Sequence, residues 1–188
     1  MPVIVFDFDK TLTYKDTLFG FYRCVSGRAL FHPLTLFYLV YPILHKCRAL
    51  SNDRLKRAGI ALFLAGMSRQ ALMAGAKAYA ETIALNRIYR EIFACTPRPI
   101  VASASFEALL TCLFQPPATV VGATLRYNSR GEVVGLEQNC HGRQKVTRLK
   151  AIGITSIDKL YTDSFSDLAL MNISKEVYLV AGDVCQRL

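Results

Sequence analysis

The chain has 188 residues, of which 52% are hydrophobic and 20% charged, and a formal net charge of +9. That composition excludes a disordered polypeptide and fits one packed domain, or a core with one sizeable insertion. The six cysteines, at 24, 47, 95, 112, 140 and 185, form no CxxC pair, which excludes cysteine-based metal or disulfide spacing and suits reduced thiols in the cytosol.

The opening "MPVIVFDFD" has no basic n-region and no cleavage site, so a signal peptide is not expected. "PVIVFDF" is a short aliphatic run, read as a buried parallel strand. From about Leu18 to Arg90 the text is helical. "LFGFYRCVSG" ends in a glycine stop, and "HPLTLFYLVYPILHK" has Pro33 suited to a first turn and Pro42 near a bend. "SNDRLKRAGIALFLAG" opens with cap residues, and "SRQALMAGAKAYAETIALNRIYREIF" opens with Ser68 as an N-cap. After that the pattern alternates. "RPIVAS" reads as a strand, "SFEALLTCLF" as a helix, and "TVVGATLRY" as a strand joined by the turn "NSRGE" to "VVGLEQ". "GRQKVTRLKAIG" reads as a helix, "DKLYTDS" as a strand end, "FSDLALMNIS" as a helix and "EVYLVAG" as the last strand. The closing "VCQRL" gives no text for a further edge strand. Strands alternating with helices predict an α/β fold, a Rossmann-like doubly wound parallel sheet, with an all-helical insertion after the first strand.

In such sheets ligands bind at the carboxyl ends of the strands. Asp7 and Asp9 follow the first strand, Ser103 ends "PIVA", Lys145 starts a helix, and Asp163 follows "KLYT". Asp167 lies one helical turn further on. A strand-end aspartate alone is usually a cap or turn residue. The conjunction of all of them is hard to explain as packing. Two adjacent carboxylates are costly to dehydrate, and a divalent cation would neutralise them.

These residues resemble the motifs of the haloacid dehalogenase superfamily, the HAD core fold. "DFDKT" at 7–11 resembles the first, DxDxT. "VASAS" at 101–105 resembles the second, Lys145 in "HGRQKVTRLK" the third, and "TDSFSD" at 162–167 the fourth, with Thr162 where a glycine is common. The resemblance implies a phosphatase: a Mg²⁺-dependent phosphomonoester hydrolase working through an aspartyl-phosphate. Asp7 would be the nucleophile and Asp9 the general acid and base. Thr11 and Ser103 would bind phosphoryl oxygens, Lys145 would neutralise their charge, and Asp167 would orient Lys145 or the metal shell. Asp7, Asp163 and the backbone carbonyl of Asp9 would hold the Mg²⁺. An aspartate at position 9 separates phosphatases from the dehalogenases of the same superfamily. Lys10 is either a solvated loop residue or a charge that attracts phosphate. The resemblance divides the chain into a core of residues 1–15 and 90–188 and a cap of residues 16–89, like the phosphoserine-phosphatase branch. There Asp16 either contacts substrate or caps a helix.

Residues 10–80 hold eleven Lys and Arg against two acids, Asp16 and Asp53, so this segment carries the whole charge excess. Within it, "ALFHPLTLFYLVYPIL" (29–44) is apolar but would span only about 24 Å as a helix, short of a roughly 30 Å bilayer core. It reads either as a buried cap helix or as a face that dips into a membrane. Arg28, Lys46, Arg48, Arg54, Lys56 and Arg57 flank it as charges for an anionic leaflet. "CHGRQKVTRL", "LYTDSFSDLALM" and the cap text "FYRCVSGRALFHPL" resemble the phosphatidylglycerophosphatase C-like subgroup, which implies a membrane lipid phosphate as substrate and a cytoplasmic protein peripheral to the membrane's inner face. No groove-reading or stacking pattern points to nucleic acid. The alternatives are a phosphatase for a small soluble ester, such as an amino-acid phosphate, and an inactive membrane- or partner-binding module.

Overall fold

The computed structural model describes residues 1–27 and 51–188. The apolar segment 29–44, with Arg28, Lys46 and Arg48, lies outside the described residues.

Strand β1 (Ile4–Phe6) is central because nothing in it is polar. It pairs in parallel with β2 (Ile100–Phe106) on one side and β5 (Ile157–Thr162) on the other. Outward from these run β3 (Thr119–Tyr127), β4 (Val133–Gln138), β6 (Ser174–Ala181) and β7 (Val184–Arg187), in the order β4-β3-β2-β1-β5-β6-β7. The inner five strands are parallel, and β4 and β7 are antiparallel edges. The expected doubly wound sheet is therefore present. The closing "VCQRL" corrects one expectation: it folds back across Gly182 and Asp183 as β7 and supplies the edge strand thought missing.

Side chains alternate across β1. Phe6 joins an aromatic core on one face, stacked 4.8 Å from Tyr161 and edge-on to Phe93 at 5.1 Å. Val5 joins Ile100, Ala102, Leu149 and Leu160 on the other face. Helices α1 (Leu18–Ser26), α2 (Asn52–Gly59) and α3 (Arg69–Ala80) pack on the Phe6 side. Ser51 and Ser68 cap α2 and α3 by accepting hydrogen bonds from the N–H groups of Arg54 and Ala71. Gly27, at φ +65°, stops α1 as read from the sequence. α2 runs on into a wider π-helical turn at Ile60–Leu64.

The helix expected to continue from Ser68 towards Phe93 instead ends at Ala80. Leu85 bridges Thr13, and the Asn86 amide donates to the carbonyls of Thr11 and Gly182. These tertiary bonds outbid helix propensity over 81–86. Helical structure resumes as a π-helical turn at Tyr89–Phe93, and the remaining helices are α4 (Glu107–Leu113), α5 (Arg143–Ala151) and α6 (Leu168–Met171), the last entered by a 3-10 turn at Phe165–Asp167. Among the described residues no helix is long and apolar enough to cross a membrane.

Candidate active site

The carboxyl ends of β1, β2 and β5 converge on a pocket of about 340 Å³, and Asp7, Asp9, Asp16, Ser103, Lys145, Asp163 and Asp167 all line it. β1 delivers Asp7, whose N–H donates to the Tyr161 carbonyl at 2.9 Å. The chain then turns tightly on the Phe8 carbonyl, which accepts from the N–H groups of Thr11, Leu12 and Thr13. Lys10 sits at the crest of this turn with φ +60°, exposed and on the pocket wall. A non-glycine residue there stores strain of about 1 kcal/mol or more.

On β2 the pairing with β3 slips. Ala102 faces Val121, yet Phe106 faces Ala123, so β2 bulges between them. The bulge carries Ser103 and Ser105. Ser103 Oγ accepts the Ser105 N–H at 3.0 Å and lines the pocket, while Ser105 Oγ donates to Asp9 Oδ2 at 2.7 Å. Ser103 therefore still has a hydroxyl proton to offer a ligand, and Ser105 does not.

Lys145, near the start of α5, is 2% exposed. Its ammonium lies 2.8 Å from Asp7 Oδ1 and 2.7 Å from Asp167 Oδ2. Burial works against its charge, but the two carboxylates hold its pKa well above the ordinary lysine value. Asp167 is pushed up to about 6 by burial and by the charge of Asp7, against the pull of Lys145. Asp163 is raised by burial and by Asp7.

Asp9 is fixed from three sides. Oδ1 accepts from the N–H (2.8 Å) and hydroxyl (2.7 Å) of Thr17, and Oδ2 accepts from Ser105. Burial, followed by the charge of Asp16, drives its pKa up to about 7 despite these bonds. A carboxyl poised there can hold or release a proton near neutrality. Asp16 Oδ1 accepts the Leu18 N–H at 3.1 Å as α1 begins, and the residue lines the pocket.

Two expectations are corrected. Thr11 does not join the pocket. The turn on Phe8 draws it inward to 0% exposure, and its hydroxyl has no partner among the described residues. Lys56, expected as a membrane-facing charge, is 1% exposed, because Leu55, Lys56 and Gly59 form the inward face of α2. Arg54 and Arg57 are exposed, and Arg57 pairs with Asp53 at 2.7 Å.

Sequence reasoning missed Asn52, His141, Ser164 and Ser166 on the pocket wall, and Thr17 and Ser105 behind Asp9. The only signals were faint: His141 four residues before Lys145, and the second serine of "SAS". The donors facing the pocket from Asp7 and Asp163 are hard oxygens, and the surplus of carboxylates over Lys145 fits a hard divalent cation such as Mg²⁺. Among the described residues no cluster of three or more His, Cys, Asp and Glu side chains is arranged to hold a metal. Two carboxylates and a carbonyl would leave the rest of such an ion's shell to water and substrate.

The chain is 26% identical over 189 residues to protein CicA of Caulobacter vibrioides, across 93% of this chain and 83% of that protein. Its fold is similar to that of a phosphoserine phosphohydrolase-like protein from Francisella tularensis, with a TM-score of 0.66, 14% identity and coverage of 94% and 86% of the two chains. It is similar also to a HAD-family hydrolase from Salmonella enterica serovar Typhi, with a TM-score of 0.64 and 14% identity. There it covers 93% of this chain but spans only 61% of the other. Residues 4–172 match the haloacid dehalogenase-like hydrolase family, from before Asp7 to beyond Asp167, and the chain belongs to that family of hydrolases.

Proposed function

We propose that the chain is a Mg²⁺-dependent phosphatase that hydrolyses phosphomonoesters through an aspartyl-phosphate on Asp7. One observation carries this: Asp7, Asp9, Ser103, Lys145 and Asp163 line a single pocket, with Lys145 2.8 Å from the proposed nucleophile. Residues 16–89 act in this reading as a cap on a core of residues 1–15 and 90–188.

An Asp7 carboxylate oxygen attacks phosphorus as the ester P–O bond breaks, and the leaving alkoxide takes the proton held by Asp9. Asp9 then removes a proton from water, which attacks phosphorus, breaks the bond to Asp7 and releases inorganic phosphate. Lys145 stays charged through both steps, between Asp7 and Asp167, and faces charge developing on the phosphoryl oxygens. The Ser103 hydroxyl donates to one of those oxygens. Asp7, Asp163 and the Asp9 carbonyl would hold Mg²⁺, which lets an anionic phosphate approach an anionic nucleophile.

The finer reading is a membrane lipid phosphate, hydrolysed by a cytoplasmic protein at the membrane's inner face. The apolar text of 29–44 and its basic flank support it, with Arg54 and Arg57 exposed. A soluble amino-acid phosphate is the competing substrate, favoured by the likeness to the Francisella protein.

The test is phosphate release from p-nitrophenyl phosphate with Mg²⁺. Asp7→Asn should lose roughly a thousandfold or more in kcat; equal release by both proteins overturns the proposal. Co-sedimentation with phosphatidylglycerol vesicles at low salt, lost at high salt, supports the lipid reading, and no co-sedimentation removes it.

A further inference from the structure

Lys56 is a charged group that this chemistry leaves unused. Its ammonium donates to Asn139 Oδ1, and among the described residues no carboxylate pairs with it. A buried cation matched by a neutral amide costs stability, and a methionine of similar length would cost less.

Asn139 lies in the loop from β4 to α5. Its Oδ1 also accepts the Cys140 N–H at 2.9 Å. Its Nδ2 donates to Asn52 Oδ1 at 3.1 Å and to Asp53 Oδ1 at 3.5 Å. One amide thus joins the first turn of α2, and Lys56 one turn later, to the loop that leads to Lys145. Each side of this joint places a side chain on the pocket wall, Asn52 from α2 and His141 from the loop.

We infer that the Lys56–Asn139 pair is a positioning device that sets Asn52 and His141 as the leaving-group wall of the phosphate pocket. This rests on the phosphatase reading. Asn139 occupies Asn52 Oδ1, and among the described residues nothing accepts from the Asn52 amide N–H groups, which are left for a ligand. They suit a leaving group with an oxygen acceptor, a hydroxyl or carboxylate, close to the ester oxygen.

The experiment compares glycerol 1-phosphate, whose leaving group carries such oxygens, with inorganic phosphate as inhibitor, which has no leaving group. Lys56→Met, Asn139→Leu and their double variant are assayed beside the wild type. The expected result is a KM for glycerol 1-phosphate raised roughly tenfold in each single variant, a phosphate Ki within about twofold of wild type, and a double variant no worse than either single one. KM and Ki rising together, or neither moving, overturns the inference. If Asn139→Leu does not fold, Asn52→Ala must give the same selective KM rise, and an unchanged KM overturns it. Amide hydrogen exchange over 52–59 reads the joint without turnover. Faster exchange in Lys56→Met supports the joint even if the wild type hydrolyses no phosphomonoester, an outcome that would sink the phosphatase reading instead; unchanged exchange overturns the joint.

Discussion

The Thr162 hydroxyl donates to Asp167 Oδ2 at 3.0 Å, the same oxygen that accepts from Lys145. Thr162 is 0% exposed at the end of β5 and stands where the resembled motif commonly has a glycine, which could make no such bond. Its hydroxyl and the Lys145 ammonium together hold the Asp167 carboxylate, and Asp167 in turn holds Lys145 against Asp7. Thr162→Val keeps the β-branched shape and removes the donor. It should lower kcat/KM roughly tenfold, the equivalent of one hydrogen bond to a charged group, while Thr162→Ser stays near wild type. Steady-state kinetics on p-nitrophenyl phosphate checks this, and equal kinetics in both variants would refute it.

The two serines of "SAS" divide the work. Ser103 accepts from the backbone of the bulge and has its proton to spare, whereas the Ser105 proton is spent on Asp9. Ser103→Ala should raise the Ki of inorganic phosphate by roughly five- to tenfold. Ser105→Ala should leave that Ki near wild type and lower kcat by a similar factor, because Asp9 loses one of its three anchors. A reversed pattern would exchange the roles.

The residues that the proposed chemistry would use, and that line one pocket, could be placed from the sequence. Asp7, Asp9, Lys145, Asp163 and Asp167 each stand at a strand end or helix start that hydrophobic runs mark out. Their supports could not be. Thr17 and Ser105 reach Asp9 from helix and bulge, and Asn139 meets Lys56 across 83 residues of sequence. Such pairings leave no periodic trace. Lys56 was misread because composition counts charges without regard to helix phase, and α2 turns that one inward. β7 was missed because four mostly exposed residues carry no hydrophobic alternation; only pairing with β6 makes them a strand.

Helices α1 and α2 pack closely at glycine. A Cβ on Gly59 would collide with two ring atoms of Tyr22, and Tyr22 is 0% exposed, stacked on Phe63 at 5.5 Å and edge-on to Phe106 at 5.8 Å. That ring has nowhere to go. A Cβ on Gly20 would meet the Tyr79 hydroxyl, the far end of a half-buried side chain that can swing out and lose its bond to the Thr17 carbonyl. Gly59→Ala should therefore cost about 2–3 kcal/mol and lower Tm by roughly 5–10 °C. Gly20→Ala should cost less. Calorimetry that ranked the two the other way would show that the packing yields at Tyr22.

Lys56 also predicts a rise of stability in alkali. Burial pushes its pKa down from 10.5 to about 8. Below pH 8 it is charged both folded and unfolded, and the full penalty of burying the charge is present. As pH rises through 8 the folded protein sheds this proton while the unfolded chain keeps it until about 10.5. The unfolded state then binds more protons, so stability increases with pH across that window. The gain approaches roughly 3 kcal/mol by pH 10.5. Cys140, raised to about 11 by burial, acts in the opposite sense above pH 9, because its thiol stays protonated only in the fold. The two effects separate by difference. Urea denaturation of wild type and Lys56→Met at intervals from pH 7 to 10 should show wild type gaining on the variant as pH rises. A constant difference would mean that the Lys56 ammonium keeps its proton in the fold, held by Asn139 and the charge of Asp9.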